Sequence, residues 1–139
     1  MTLEQELAEV SLAAASAVTV GVFDGVHRGH LALLSRISKI ARADGLKIVV
    51  VTFRQHPKAM LSPGREVPFL TDLSQRRRLL LEAGADHVVV LSFTPELAAL
   101  EAGDFVKLLQ RTLKMRALVI GHDFALGRAS SGFAAAVSQ

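Results

Sequence analysis

Four short runs rich in β-branched residues, separated by stretches of a different periodicity, constrain this chain more than any other feature in it. The runs are Ala17 to Phe23, Ile48 to Phe53, Val88 to Phe93 and Ala117 to Gly121. Each is nearly continuous in apolar residues, without the polar alternation of a sheet wetted on one side, so each is expected as a strand covered on both faces. Between them the apolar spacing turns helical. Residues Gly29 to Asp44 set Leu31, Leu34, Ile37, Ile40 and Ala41 on one face, with Lys and Arg opposite and Gly45 as the stop. Leu73 to Glu82 and Gly103 to Leu113 repeat the pattern, the first with Thr71 and Asp72 as candidate caps and Gly84 beyond its end. Pro57, Pro63, Pro68 and Pro95 all fall between these elements.

Strand, helix, strand, three times over, is the βαβ arrangement, and right-handed crossovers turn it into a doubly wound parallel sheet. The fold class is therefore α/β, expected as a three-layer, Rossmann-like domain, and the strand order is taken as 3-2-1-4. A chain of 139 residues has room for one such domain. It is expected over residues 17–139, with residues 1–16 as a helical or flexible segment ahead of it. His56 to Pro68 forms the one long loop, a length at which functional loops and merely solvated ones are about equally common.

Composition removes several functions. The absence of Cys excludes disulfide frameworks, zinc ribbons and thiol nucleophiles, so any catalysis uses oxygen or nitrogen groups. A surplus of three positive charges, with no Trp or Tyr, supplies neither the basic patch nor the stacking platform of a nucleic-acid binder. The apolar runs are strand-sized, too short to cross a bilayer. Glu4, Glu6 and Glu9 near the start, with no basic region ahead of them, make a cytoplasmic location the expectation. Arg76-Arg77-Arg78 reads as a solvated helix face, because three consecutive helical residues point in different directions. Phe53, Phe69, Phe93, Phe105, Leu109 and Leu113 are assigned to the core, and His87, at the start of a strand, to a structural role.

Ligands of open parallel sheets bind beyond the carboxyl ends of the strands, where the strand order reverses. The loop after the first strand reads Gly21-Val22-Phe23-Asp24-Gly25-Val26-His27-Arg28-Gly29-His30. Its glycines permit tight turning and close approach, and a helix opens near the histidines, so free amides and the helix dipole form a cradle for a phosphate. His27 and His30 would lie about one helical turn apart and could donate to one phosphate group. Two other readings stay open: a capped helix start with incidental histidines, and a zinc site on Asp24, His27 and His30. The loop after the second strand holds Arg54-Gln55-His56-Pro57, and the loop after the fourth holds Gly121-His122-Asp123-Phe124-Ala125-Leu126-Gly127-Arg128, in which Asp123 is alternatively a turn cap.

These strings resemble a family. His27-Arg28-Gly29-His30 fits the HxGH motif of a nucleotidyltransferase superfamily, and the wider GVFDGVHRGH is similar to bacterial FAD synthetases, in their N-terminal FMN adenylyltransferase module. Val51-Thr52-Phe53-Arg54-Gln55-His56-Pro57 resembles the family's TFxPHP segment, Phe69-Leu70-Thr71 its following helix entry, and Gly121 to Gly127 its GxDFxFG loop. The resemblance implies transfer of AMP from ATP, with magnesium, to the phosphate of FMN, giving FAD and pyrophosphate. It implies that His27 and His30 are the catalytic pair on the ATP phosphates. Gly21, Phe23, Asp24, Gly25 and Gly29 would shape the nucleotide pocket, with His56, Pro57, Asp123, Phe124 and Arg128 on the flavin side and no protein metal site.

The chain departs from the family at Val22, Arg54, Gln55, Ala125 and Leu126. Gln139 also precedes the family's second phosphate-binding motif, an ISSTxIR-like helix start, and the riboflavin kinase domain that usually follows. The resemblance thus implies a C-terminally incomplete module lacking the usual last strand. Its alternatives are a noncatalytic nucleotide- or flavin-binding remnant and an HxGH transferase for another phosphorylated acceptor.

Overall fold

The structure is a computed structural model that describes residues 3–8, 14–23, 28–54, 72–92 and 94–120. In chain order its elements are α1 (Leu3–Ala8), β1 (Ser16–Val20), α2 (Arg28–Asp44), β2 (Lys47–Phe53), α3 (Leu73–Glu82), β3 (His87–Leu91), α4 (Pro95–Ala99), α5 (Ala102–Leu113) and β4 (Met115–Ile120). The four strands form one parallel sheet in the order β3-β2-β1-β4. Ile120, Val20, Val51 and Val89 stand in a row across it, so the carboxyl ends of the strands share one edge.

Successive residues of a strand point to opposite faces, and both faces here are apolar because both are covered. On one face Ala17, Val50, Val88 and Val119 pack against Leu34, Ile37 and Ala41 of α2 and Leu80 of α3. On the other, Val18, Val20, Val49, Val51, Val89 and Leu118 pack against Leu7 of α1, Leu97 of α4 and Phe105, Leu109 and Leu113 of α5. The three-layer α/β architecture read from the sequence is the one observed. Phe53, Phe105, Leu109 and Leu113 are fully buried core residues, as expected. Phe69 and Phe93 lie outside the described residues.

The ends of the helices follow local chemistry. The Asp72 carboxylate caps α3 by accepting from the Gln75 amide at 2.7 Å. Gly45, with φ of 65°, lets the chain leave α2 in the left-handed region that glycine enters without strain. At the end of α5 Lys114 takes the same conformation with φ of 52°. Helix α4 was not foreseen; it is one short turn, opened by Pro95 at its first position and capped by Thr94, whose hydroxyl accepts from the Leu97 amide.

Three expectations need correction. Strand β1 was expected to run to Phe23 and stops at Val20, because the chain turns sharply afterwards and Phe23 adopts φ of 55°. Leu31 was placed on the inner face of α2 and is 48% exposed, since the buried stripe is Leu34, Ile37 and Ala41, and His30, not Leu31, continues it by a turn. Arg76 was assigned to a solvated face and is 1% exposed, while Arg77 and Arg78 do face solvent.

Candidate functional site

Strand β1 lies in the middle of the sheet, and the strand order reverses beside it, between β1 and β4. The crossovers through α2 and α3 lie on one face and the one through α5 on the other. Such a switch point leaves a crevice at the carboxyl edge. Gly21 extends the ladder one residue past β1, its amide donating to the Val51 carbonyl at 3.0 Å.

Beyond it the backbone turns so that the Phe23 ring folds back over Gly21. A Cβ at position 21 would stand 3.0 Å from Phe23 Cε2 and 3.1 Å from Cζ, so any larger residue there would press on the ring. The ring is buried in the core layer beneath α2. Its other neighbour is His30, at 5.0 Å between ring centroids and 64° between planes, an edge-to-face arrangement. His30 is half-buried in the first turn of α2, and Gly29 and Arg28 beside it are exposed. Helix α2 runs 17 residues with no acidic residue in its first turn, so the positive end of its dipole meets the sheet's carboxyl edge without an internal counter-charge there.

A second group of contacts joins this turn to the end of β2. Thr52 Oγ1 donates to the Val22 carbonyl at 2.8 Å. From α3, Arg76 Nη1 donates to the carbonyl oxygens of Val22 at 3.0 Å and Phe53 at 2.9 Å, with Thr52 Oγ1 at 3.2 Å. The sequence reading gave Arg76 no function. The signal was present in its spacing, because Leu73, Arg76 and Leu80 lie three and four residues apart on one helix face, and Leu80 is fully buried.

Of the candidate site residues, Gly21, Phe23, Gly29 and His30 are described; Gly21, Phe23 and His30 come together at the end of β1, with Gly29 beside His30 in the first turn of α2. Asp24, Gly25, His27, His56, Pro57, Asp123, Phe124 and Arg128 lie outside the described residues. Among the described residues no group of three or more His, Asp or Glu is assembled that could hold a metal ion. Nor is any helix among them long and apolar enough to cross a membrane.

Comparison with known protein families matches residues 10–139 to FAD synthetase. The bifunctional riboflavin kinase/FMN adenylyltransferase of Escherichia coli K12 is 36% identical over 116 residues, covering 83% of this chain and 37% of that protein. Its counterpart from Listeria monocytogenes is 34% identical over 116 residues, with the same coverage. The chain therefore spans less than two-fifths of the length of these relatives. The crystal structure of a macrolide-efflux protein from Streptococcus pneumoniae superposes with a TM-score of 0.80 at 31% identity, covering 88% of this chain and 48% of that one.

Proposed function

The chain belongs to the FAD synthetase family, and from that premise we propose that it carries the FMN adenylyltransferase half of the reaction, transferring AMP from MgATP to FMN. The observation that supports this most is the start of α2: a long helix opening at the switch point, with His30 in its first turn and a glycine-permitted turn packed against it. The exposed residues of that first turn, Arg28 and Gly29, leave room for a polyphosphate beside the amides.

In this reading a phosphate oxygen of FMN attacks the α-phosphorus of ATP, a new phosphoanhydride bond forms, the bond to the β-phosphate breaks, and pyrophosphate leaves with its electron pair. The nucleophile is already an anion, so neither a protein nucleophile nor a strong base is required. The residues supply position and charge stabilisation. His27 and His30 hold the ATP phosphates, with Gly21, Phe23, Asp24, Gly25 and Gly29 shaping the nucleotide side. His56, Pro57, Asp123, Phe124 and Arg128 serve the flavin side. Magnesium enters with ATP as part of the substrate. The relatives' names pair this activity with riboflavin kinase, a reaction whose product is the acceptor here. The cytoplasm, where ATP is available, is the setting that goes with it.

The test is FAD formation from FMN and MgATP, followed by chromatography with pyrophosphate measured in parallel. His30→Ala is expected to lower turnover by at least about tenfold, since donors to a reacting phosphate act mainly on the transition state. ATP binding without FAD formation would replace this reading by a noncatalytic binding module. AMP transfer to nicotinamide mononucleotide or phosphopantetheine in place of FMN would assign a different acceptor.

A further inference from the structure

We propose that Arg76 is a positioning residue for adenylyl transfer, one that fixes the loop after β1 relative to the loop after β2. The inference rests on the functional reading above and goes beyond it, because Arg76 belongs to α3 and to neither loop.

Among the described residues the last ladder contact between the two strands is that of the Gly21 amide with the Val51 carbonyl. Val22 and Phe53 lie past it, where the parallel ladder no longer sets the distance between the chains. Arg76 Nη1 takes over there, donating to both carbonyls, and Thr52 Oγ1 closes the cluster between them. Val22 directly precedes Phe23, which packs against His30. Phe53 directly precedes Arg54 and the segment carrying His56 and Pro57. One guanidinium nitrogen therefore couples the backbone of the nucleotide side to that of the flavin side. Satisfying these carbonyls contributes to stability, but it does not by itself require that one side chain hold both strand ends. Two substrates that must meet in line do require it, since a misplacement of about 1 Å costs on the order of a hundredfold in rate.

The experiment compares Arg76→Met and Arg76→Lys in the whole chain, with Arg77→Met as an exposed control and Leu109→Ala as a core lesion on the opposite face of the sheet. Amide hydrogen exchange and steady-state kinetics are both read. Arg76→Met is expected to speed exchange at the Gly21 and Arg54 amides, both hydrogen-bonded at the strand ends, and to leave Val119 in β4 unchanged. Its kcat should fall by about a hundredfold with KM for ATP and FMN changed much less. Arg76→Lys should recover a large part of both readouts, because the contacts with Val22, Thr52 and Phe53 converge on one nitrogen and an ammonium carries three donors.

The proposal is overturned if Arg76→Met loses no more activity than Leu109→Ala at equal loss of stability, or if its exchange rises uniformly. It is overturned equally if a folded Arg76→Lys stays as slow as the Met variant. Should Arg76→Met not fold, the Lys variant and its exchange pattern decide alone. A wild-type chain that forms no FAD refutes the functional reading, and exchange at Gly21 and Arg54 still shows whether Arg76 couples the two loops.

Discussion

Gly21→Ala tests the packing that places His30. Gly21 is not among the glycines with positive φ, so alanine meets no backbone strain there. The substitution would even be favourable by about 0.4–1 kcal/mol through the unfolded chain if space were free. Space is not free: the new methyl group would stand 3.0, 3.1 and 3.4 Å from Cε2, Cζ and Cδ2 of Phe23, where carbon atoms prefer about 3.5–4.0 Å. The ring must withdraw by roughly half an ångström or more to reach that separation. It is 1% exposed, its backbone is held at φ of 55°, and it also packs against His30. Overpacking of this kind costs about 1–3 kcal/mol, which leaves a net loss of about 1 kcal/mol once the chain-entropy gain is subtracted. Urea denaturation measures that loss. The decisive comparison is a cycle with Phe23→Leu: without the ring, Gly21→Ala should become neutral or stabilising, a coupling of about 1–2 kcal/mol. An equal cost in both backgrounds would refute the argument, because the clash would then not involve the ring. Since the displaced ring carries His30 with it, turnover of FMN by Gly21→Ala should fall further than its stability explains.

Two other substitutions probe the rest of the domain. The Glu6 carboxylate of α1 is buried and accepts from the Ser92 amide at 3.1 and 3.2 Å and from Ser92 Oγ at 2.9 Å. Glu6→Gln places an amide NH2 among those donors and is expected to cost about 2 kcal/mol in denaturation, with α1 cut sooner in limited proteolysis. Lys114→Gly should stabilise the domain by about 0.5 kcal/mol, since a left-handed helix end costs a lysine more than a glycine, and a higher unfolding midpoint is the measurement.

Much of this architecture was legible because buried parallel strands and their covering helices obey different periods. Ile48 to Phe53 and Val88 to Phe93 read as strands from residue type alone, against observed strands Lys47–Phe53 and His87–Leu91, and the expected order 3-2-1-4 is the one observed. The glycines and the HxGH string marked the end of β1 as the place to look. Apolar content, however, does not separate a strand from a buried turn. Val22 and Phe23 are apolar because Phe23 returns to the core as a turn residue, and nothing in the string announces φ of 55°. The two residues therefore looked like a longer strand.

The phase of a helix raised the opposite difficulty, because a polar residue on an apolar face is normally discounted. His30 lies four residues before Leu34 and Arg76 four before Leu80, so each continues a buried stripe by one turn. Hydropathy assigns both outward, and Leu31 inward in place of His30. What reverses the assignment is a partner from a distant part of the chain. For His30 it is the Phe23 ring, available only once β1 has turned back. For Arg76 it is a set of backbone carbonyls that exists only where two strands end side by side. Backbone acceptors leave no mark in a sequence, since every residue has one. A polar group that serves a site by holding main chain is for that reason harder to read than one that touches a ligand. In this domain helix phase is the signal that finds both, when it is allowed to override residue type.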